Sequence, residues 1–260
     1  MILLVPAAFA GLLDTLTPEE RQVAICQTAA APAEDAFDFS RAAGIWEACL
    51  AETQRQGQTA ATALVEDRLA LVKARAKAAE WRTTDPARYA EAVLPVVARQ
   101  RSATFLGTDV QEIFRAWMGT EAGKGRLDAV RTVTVIWNLE KGQDELGRKA
   151  GELLRRELED LGLKWADPGK PDVDTIIYAT VELALVEPTT TGPAGSLPRA
   201  EARIDSERVR FRNIDDETTG FRVTASDEEA DAADAQDLAL RAACQRAANR
   251  VLRQVLQKVF

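Results

Sequence analysis

Residues 171–187, PDVDTIIYATVELALVE, place Val173, Thr175, Ile177, Ala179, Val181, Leu183 and Leu185 at every second position. A strand turns successive side chains to opposite faces, so this spacing predicts one long strand of a half-buried antiparallel sheet. The next stretch, residues 188–198, is a Pro/Gly/Thr-rich loop. Strand character resumes in AEARIDSERVRF (200–211), but with a change of phase. Its apolar residues sit at even positions, Ala200, Ala202 and Ile204, and then at odd ones, Val209 and Phe211. An unbroken period of two cannot do that, which predicts a bulge or bend near Ser206. Odd parity continues in Phe221, Val223 and Ala225. The segment IDDETTG (214–220) therefore reads as the connection between two strands. Asp215, Asp216 and Glu217 are expected to be solvated turn residues, and Gly220 to supply a permissive turn conformation.

Working outward, RTVTVIWN (131–138) is a β-branched run that predicts a strand buried on both faces. DELGRKAGELLRRELEDLG follows with Leu146, Ala150, Leu153, Leu154, Leu158 and Leu161 on one helical stripe and Gly162 as its stop. The chain closes with an Ala-rich helix over about 233–258, striped by Leu240, Cys244, Ala247, Val251, Val255 and Val259. The first half carries no strand signal. TPEE (17–20) is a capping box that starts a helix running to about Ala30 before a break at APAED. Residues 40–81 form two helices divided at Gly57. Another helix starts at Thr84 or Asp85 with Pro86 in its first turn, and Pro95 is expected to kink or end it. GTDVQEIFRAWMG is a short helix between glycines. GTEAGKG (119–125) fails as a phosphate loop in spacing and in what precedes it, and reads as a linker that lets the halves reorient.

The fold class is thus α+β: an all-helical N-terminal module, 11–127, then an α/β sandwich, 131–260, of order strand-helix-strand-strand-strand-helix with helices on one sheet face. That order, together with PDVDTIIYATVELALVE, the strand-turn-strand RVRFRNIDDETTGFRV ending in TG, and the closing helix DLALRAACQRAANRVLRQVLQKV, resembles the TolB amino-terminal and curli-export lipoprotein type of domain. The resemblance covers about residues 131–260 and implies a non-catalytic protein of the cell envelope; the helical half has no counterpart in it.

MILLVPAAFA (1–10) ends in a small-x-small pattern without a basic residue before it. It reads as the remnant of a signal peptide, against an apolar N-terminus with no such role, and the former makes the mature chain periplasmic or secreted. No other stretch is long and apolar enough to span a bilayer. Cys26 and Cys49 lie on two helical segments and are either a disulfide between neighbouring helices or two reduced core thiols; Cys244 reads as a small buried hydrophobe.

A formal charge of -8, with neither half basic, argues against general nucleic-acid binding. The absence of histidine removes Ser-His and Cys-His nucleophile pairs and mixed Cys/His metal sites, and the three cysteines form no close-spaced ligand pair. The acids of SDEEADAADAQD (226–237) lack calcium-loop spacing and suit a helix N-terminus. No catalytic residue, metal or cofactor is expected. Arg208, Arg210, Arg212 and Arg222 oppose Val209, Phe211 and Val223, so a hairpin would gather them into a basic stripe facing an anionic partner, or into a charge-protected outer face. The reading is a non-enzymatic envelope protein that binds another envelope component through this stripe or a sheet edge. The alternative is a small-ligand or nucleotide-binding regulator with a site between the two halves near Trp137 and Trp165.

Overall fold

The computed structural model describes residues 18–101, 108–170, 173–186, 197–229 and 231–260. The expected signal-peptide remnant, and most of the 188–198 loop, lie outside these residues. The chain divides into two compact units, one of residues 18–125 with 255–260 and one of residues 126–254.

The helical unit contains α1 (Pro18–Asp35), α2 (Phe39–Arg55), α3 (Thr59–Ala78), the short α4 (Trp81–Thr84), α5 (Pro86–Ala98), α6 (Thr108–Met118) and α7 (Glu121–Leu127). Helix α1 is described from Pro18, so the expected Thr17 cap lies outside the described residues; the helix does not break at APAED, carries Pro32 inside its last turn and stops at Asp35. Phe37, in the left-handed region at φ 57°, reverses the chain there. Asp38 then caps α2, its Oδ1 accepting from the Arg41 amide at 3.0 Å. Gly57, at φ 69°, separates α2 from α3, a backbone conformation that glycine adopts without a Cβ penalty. Asp85 caps α5 by accepting from the Arg88 amide, with Pro86 in its first turn. Pro95 does not end α5, which continues to Ala98. A core of Val23, Cys26, Ala30, Ala33, Phe39, Ala42, Trp46, Val65, Leu69 and Val72 joins α1, α2 and α3.

The expected linker is a correction. Residues 121–127 form α7, and a Cβ on Gly123 would overlap the Trp117 carbonyl. Gly123 thus serves close packing against the end of α6, whereas a Cβ on Gly125 would meet nothing within 4 Å. In the same unit the Trp117 ring meets Phe260, centroids 5.0 Å apart.

The second unit holds β1 (Thr132–Trp137), α8 (Asp144–Asp160), β2 (Lys164–Trp165), β3 (Thr175–Val186), β4 (Arg199–Phe211), β5 (Asp216–Thr219), β6 (Arg222–Glu228) and, as far as Gln254, α9 (Ala232–Val259). The sheet order is β2-β1-β3-β4-β5, with β6 also on β4. Strand β1 is parallel to β2 and β3, and the remaining pairs are antiparallel. The buried side of the sheet carries Val133, Val135, Ile177, Ala179, Val181, Ala200, Ala202, Ile204, Val209, Phe211, Val223 and Ala225. Helix α8 ends in a Schellman motif: Leu163 N–H donates to Leu158 O, Gly162 N–H donates to Glu159 O, and Gly162 sits at φ 84°.

Two features exceed the sequence reading. The two-residue β2 is an extra strand, whose alternation is too short to detect. The partner of β4 is also split in two, because β4 bulges where expected: Tyr178 pairs with Arg208 and Ala179 with Ser206, leaving Glu207 extra. On the far side of the bulge β5 pairs with residues 208–211 and β6 with 199–205. Strand β1 is buried on both faces only at its start, since Ile136 is exposed.

Candidate functional site

Four places have the chemistry to act as a site: the arginine rows with the carboxylates between them, a buried ion cluster in the helical unit, a cavity beside β1, and the free part of the β3 edge.

The turn after β4 spans residues 212–215, with Asp215 left-handed at φ 45°. Asp216 and Glu217 are not turn residues but belong to β5, with Glu217 directly opposite Arg210. Gly220 is not a turn residue either. It lies opposite the bulge, its N–H donating to Glu207 O at 3.0 Å, and a Cβ there would overlap the Ser206 carbonyl. The glycine is therefore required by the close approach of two backbones.

The four arginines do not form one uncompensated stripe. Arg208 lies over the Tyr178 ring at 4.4 Å and 3.5 Å from Glu217. Arg222 donates to Asp205 at 2.6 Å and Arg203 donates to the same oxygen at 2.8 Å, with Arg203 also 3.7 Å from Glu182. Arg212 sits in the turn, its amide donating to Asp174 O at 2.8 Å. Arg210 is exposed and faces Glu217 across the ladder. Arg208 and Arg210 thus share one end of the outer face, whereas Arg222 lies beyond the bulge. Burial by itself would raise the Asp205 carboxyl, but the hydrogen bonds from Arg203 and Arg222 together outweigh it and hold the group below its ordinary 3.8. Arg208 and Arg222 are thus answered by acids, Glu217 and Asp205.

Asp174, which the alternating pattern gave no reason to single out, is a buried clasp. Its carboxylate accepts from the Thr132 amide at 2.8 Å and from the Asn213 side chain at 2.5 Å, tying the start of β1 to the turn after β4. A second cluster was also missed. In the helical unit Glu34 accepts from Trp46 Nε1 at 2.9 Å, from Arg68 at 3.1 Å and from Arg75 at 3.5 Å. The Arg68 guanidinium lies 5.6 Å from the Trp46 ring and that of Arg75 5.8 Å from Phe39. The spacing of Arg68 and Arg75, two turns apart on the buried side of α3, is its only trace in the sequence.

Cys26 and Cys49 form a disulfide between α1 and α2, their Cα atoms 6.1 Å apart. Cys244 is fully buried on α9, its Sγ–H donating to Ala150 O at 3.6 Å. Burial, and behind it the nearby Glu157, push its thiol up to about 12, so it stays protonated and unreactive.

A cavity of about 300 Å³ opens beside the carboxyl ends of the parallel strands β1 and β2. Trp137, Leu139, Trp165 and Pro168 give it apolar walls, and Arg148 and Arg155 stand with Glu152 and Asp167 around it. Gly151 on α8 leaves space for the Trp137 indole, whose Nε1 would be 3.2 Å from a Cβ there. Trp137 and Trp165 thus meet one cavity, as the alternative reading supposed. All its lining residues belong to the 126–254 unit, so it is not a cleft between halves.

No family model matches the sequence, and no curated protein matches it. Among solved structures, one match is described as "a putative lipoprotein from Caulobacter crescentus CB15", at 17% identity, a TM-score of 0.32, and coverage of 52% of this chain and 96% of that one. A likeness of that degree identifies neither fold nor function. Among the described residues, no helix is long and apolar enough to cross a membrane.

Proposed function

We propose that the chain is a non-enzymatic protein of the cell envelope, periplasmic or secreted, whose α/β domain of the TolB amino-terminal type binds another envelope component. The observation that carries this reading is the disulfide between α1 and α2, because such bridges form and persist in oxidising compartments. The ion pairs of Arg208 and Arg222 favour a sheet edge over the arginine rows as the contact, since each must be broken before an anionic partner gains its guanidinium. Mass analysis of the native protein from separated cell fractions tests the reading. It predicts a chain in the periplasmic or secreted fraction, two hydrogens lighter than the fully reduced form, with Cys244 the one thiol alkylated after denaturation. A fully reduced chain in the cytosol would sink it.

The cavity beside Trp137 and Trp165 supports a second reading, a regulator that takes a small ligand such as a nucleotide. Titration with nucleoside phosphates should then quench or shift the fluorescence of these two tryptophans, and Gly151→Leu, which fills the cavity from α8, should abolish the change.

A further inference from the structure

The sheet has two lateral edges and treats them differently. On the β5/β6 side, Arg246 of α9 donates to the Thr224 carbonyl and Gln254 donates to the Thr219 carbonyl at 3.0 Å. The closing helix thereby occupies groups that a new strand would need. On the other side, β2 is only two residues long.

Strand β3 has a further free stretch. It runs for twelve residues, but its pairing with β1 ends at Trp137 opposite Ala179, and the Asn138 amide donates to Ala179 O at 2.8 Å. That bond shows which way the odd-numbered residues face. Backbone groups alternate along a strand, so Val181, Leu183 and Leu185 direct N–H and C=O into the lane that β1 vacates. Among the described residues, nothing hydrogen-bonds to them there. The other side of β3 is paired with β4 to Val186 opposite Arg199.

The side chains agree. Leu185 is 53% exposed and Val186 36%, on a strand whose earlier residues bury every second side chain. Natural edges are blunted by lysine, proline or a bulge, and residues 181–186 have none of these; the bulge lies on β4 and the one charge, Glu182, is engaged by Arg203.

We infer that this edge of β3 receives an extended, alternately apolar segment of a partner protein as an added strand. Main-chain bonds to Leu183 and Leu185 would hold it, and its apolar side chains would cover Leu183 and Leu185. A six-residue edge buries far less than the roughly 1,200 Å² of a stable dimer, which favours a peptide segment over a second copy of the chain. The inference rests on the reading of the chain as a binding protein and names its contact.

The test uses the intact protein and a short fluorescent peptide of alternating valine and threonine flanked by lysine. Peptide should raise fluorescence anisotropy and slow amide exchange at Leu183 and Leu185 about tenfold, leaving Ala184, whose amide faces β4, unchanged. Leu185→Pro removes an outward N–H without touching the β4 ladder and should abolish binding, with circular dichroism confirming the fold; Leu185→Lys should weaken it. Unchanged exchange on adding peptide, or full binding by the proline variant, overturns the inference. So does protection of these amides that appears on raising the protein concentration alone, which would make the occupant a second copy. A cytosolic, reduced chain that still binds the peptide would instead sink the envelope reading and leave the edge standing.

Discussion

At Gly220 a single missing Cβ decides whether the sheet can bend. The bulge at Ser206 and Glu207 pushes the β4 backbone toward its neighbour, and glycine admits the approach. Gly220→Ala should cost about 3 kcal/mol in denaturant unfolding, as overpacking of a rigid backbone contact does. A loss of only a few tenths would show that the bulge yields instead. Asp205 supplies a pH-dependent counterpart. Its folded-state value is depressed, so its contribution is present above the ordinary carboxylate range and is lost as pH falls through the lower folded value. Asp205→Asn should therefore lower the melting temperature at pH 7, with the gap to wild type closing below about pH 4. Both residues stand in the sequence as an ordinary glycine and an ordinary acid. Their roles come from what a neighbouring strand brings opposite them, which no local pattern encodes.

Between elements, the helical unit combines a covalent and an ionic tie. The disulfide joins α1 to α2, and Glu34 on α1 gathers Trp46 from α2 and Arg68 and Arg75 from α3. Removing the carboxylate that answers two buried guanidiniums should cost about 3–5 kcal/mol. Glu34→Ala is expected to show that loss in thermal or denaturant unfolding, and Glu34→Gln, which keeps an acceptor for the Trp46 indole, a smaller one. Cys49→Ser should cost roughly 3 kcal/mol, the loop-closure value for a bridge of this span. Equal stability of oxidised and reduced protein would contradict it. The helix start capped by Asp85, the division at Gly57 and the stop at Gly162 were legible because caps and glycines act within one turn. Pro32 and Pro95 do not break their helices: each forgoes one N–H···O bond, but tertiary packing of the buried face holds the last turn.

For the whole molecule, the division into a helical and an α/β unit was legible from the change of hydrophobic period near residue 130, and the bulge from the change of parity in β4. The long alternation of β3 foretold a strand half covered on one face, and burial follows it through Val181. It could not foretell where the cover ends. That depends on β1 leaving the sheet at Trp137 and on α9, rather than another strand, closing the opposite edge. The cavity beside Trp137 likewise needs Trp165, nearly thirty residues further on, to return on β2. What the sequence by itself determined is the local part: the period of each element, its caps and stops, and the phase slip at Ser206, all set by contacts within a few residues. Only the tertiary structure decided which arginines meet acids, which carboxylate is buried, and which strand edge is left unpaired among the described residues, because each depends on segments that close long loops before they touch.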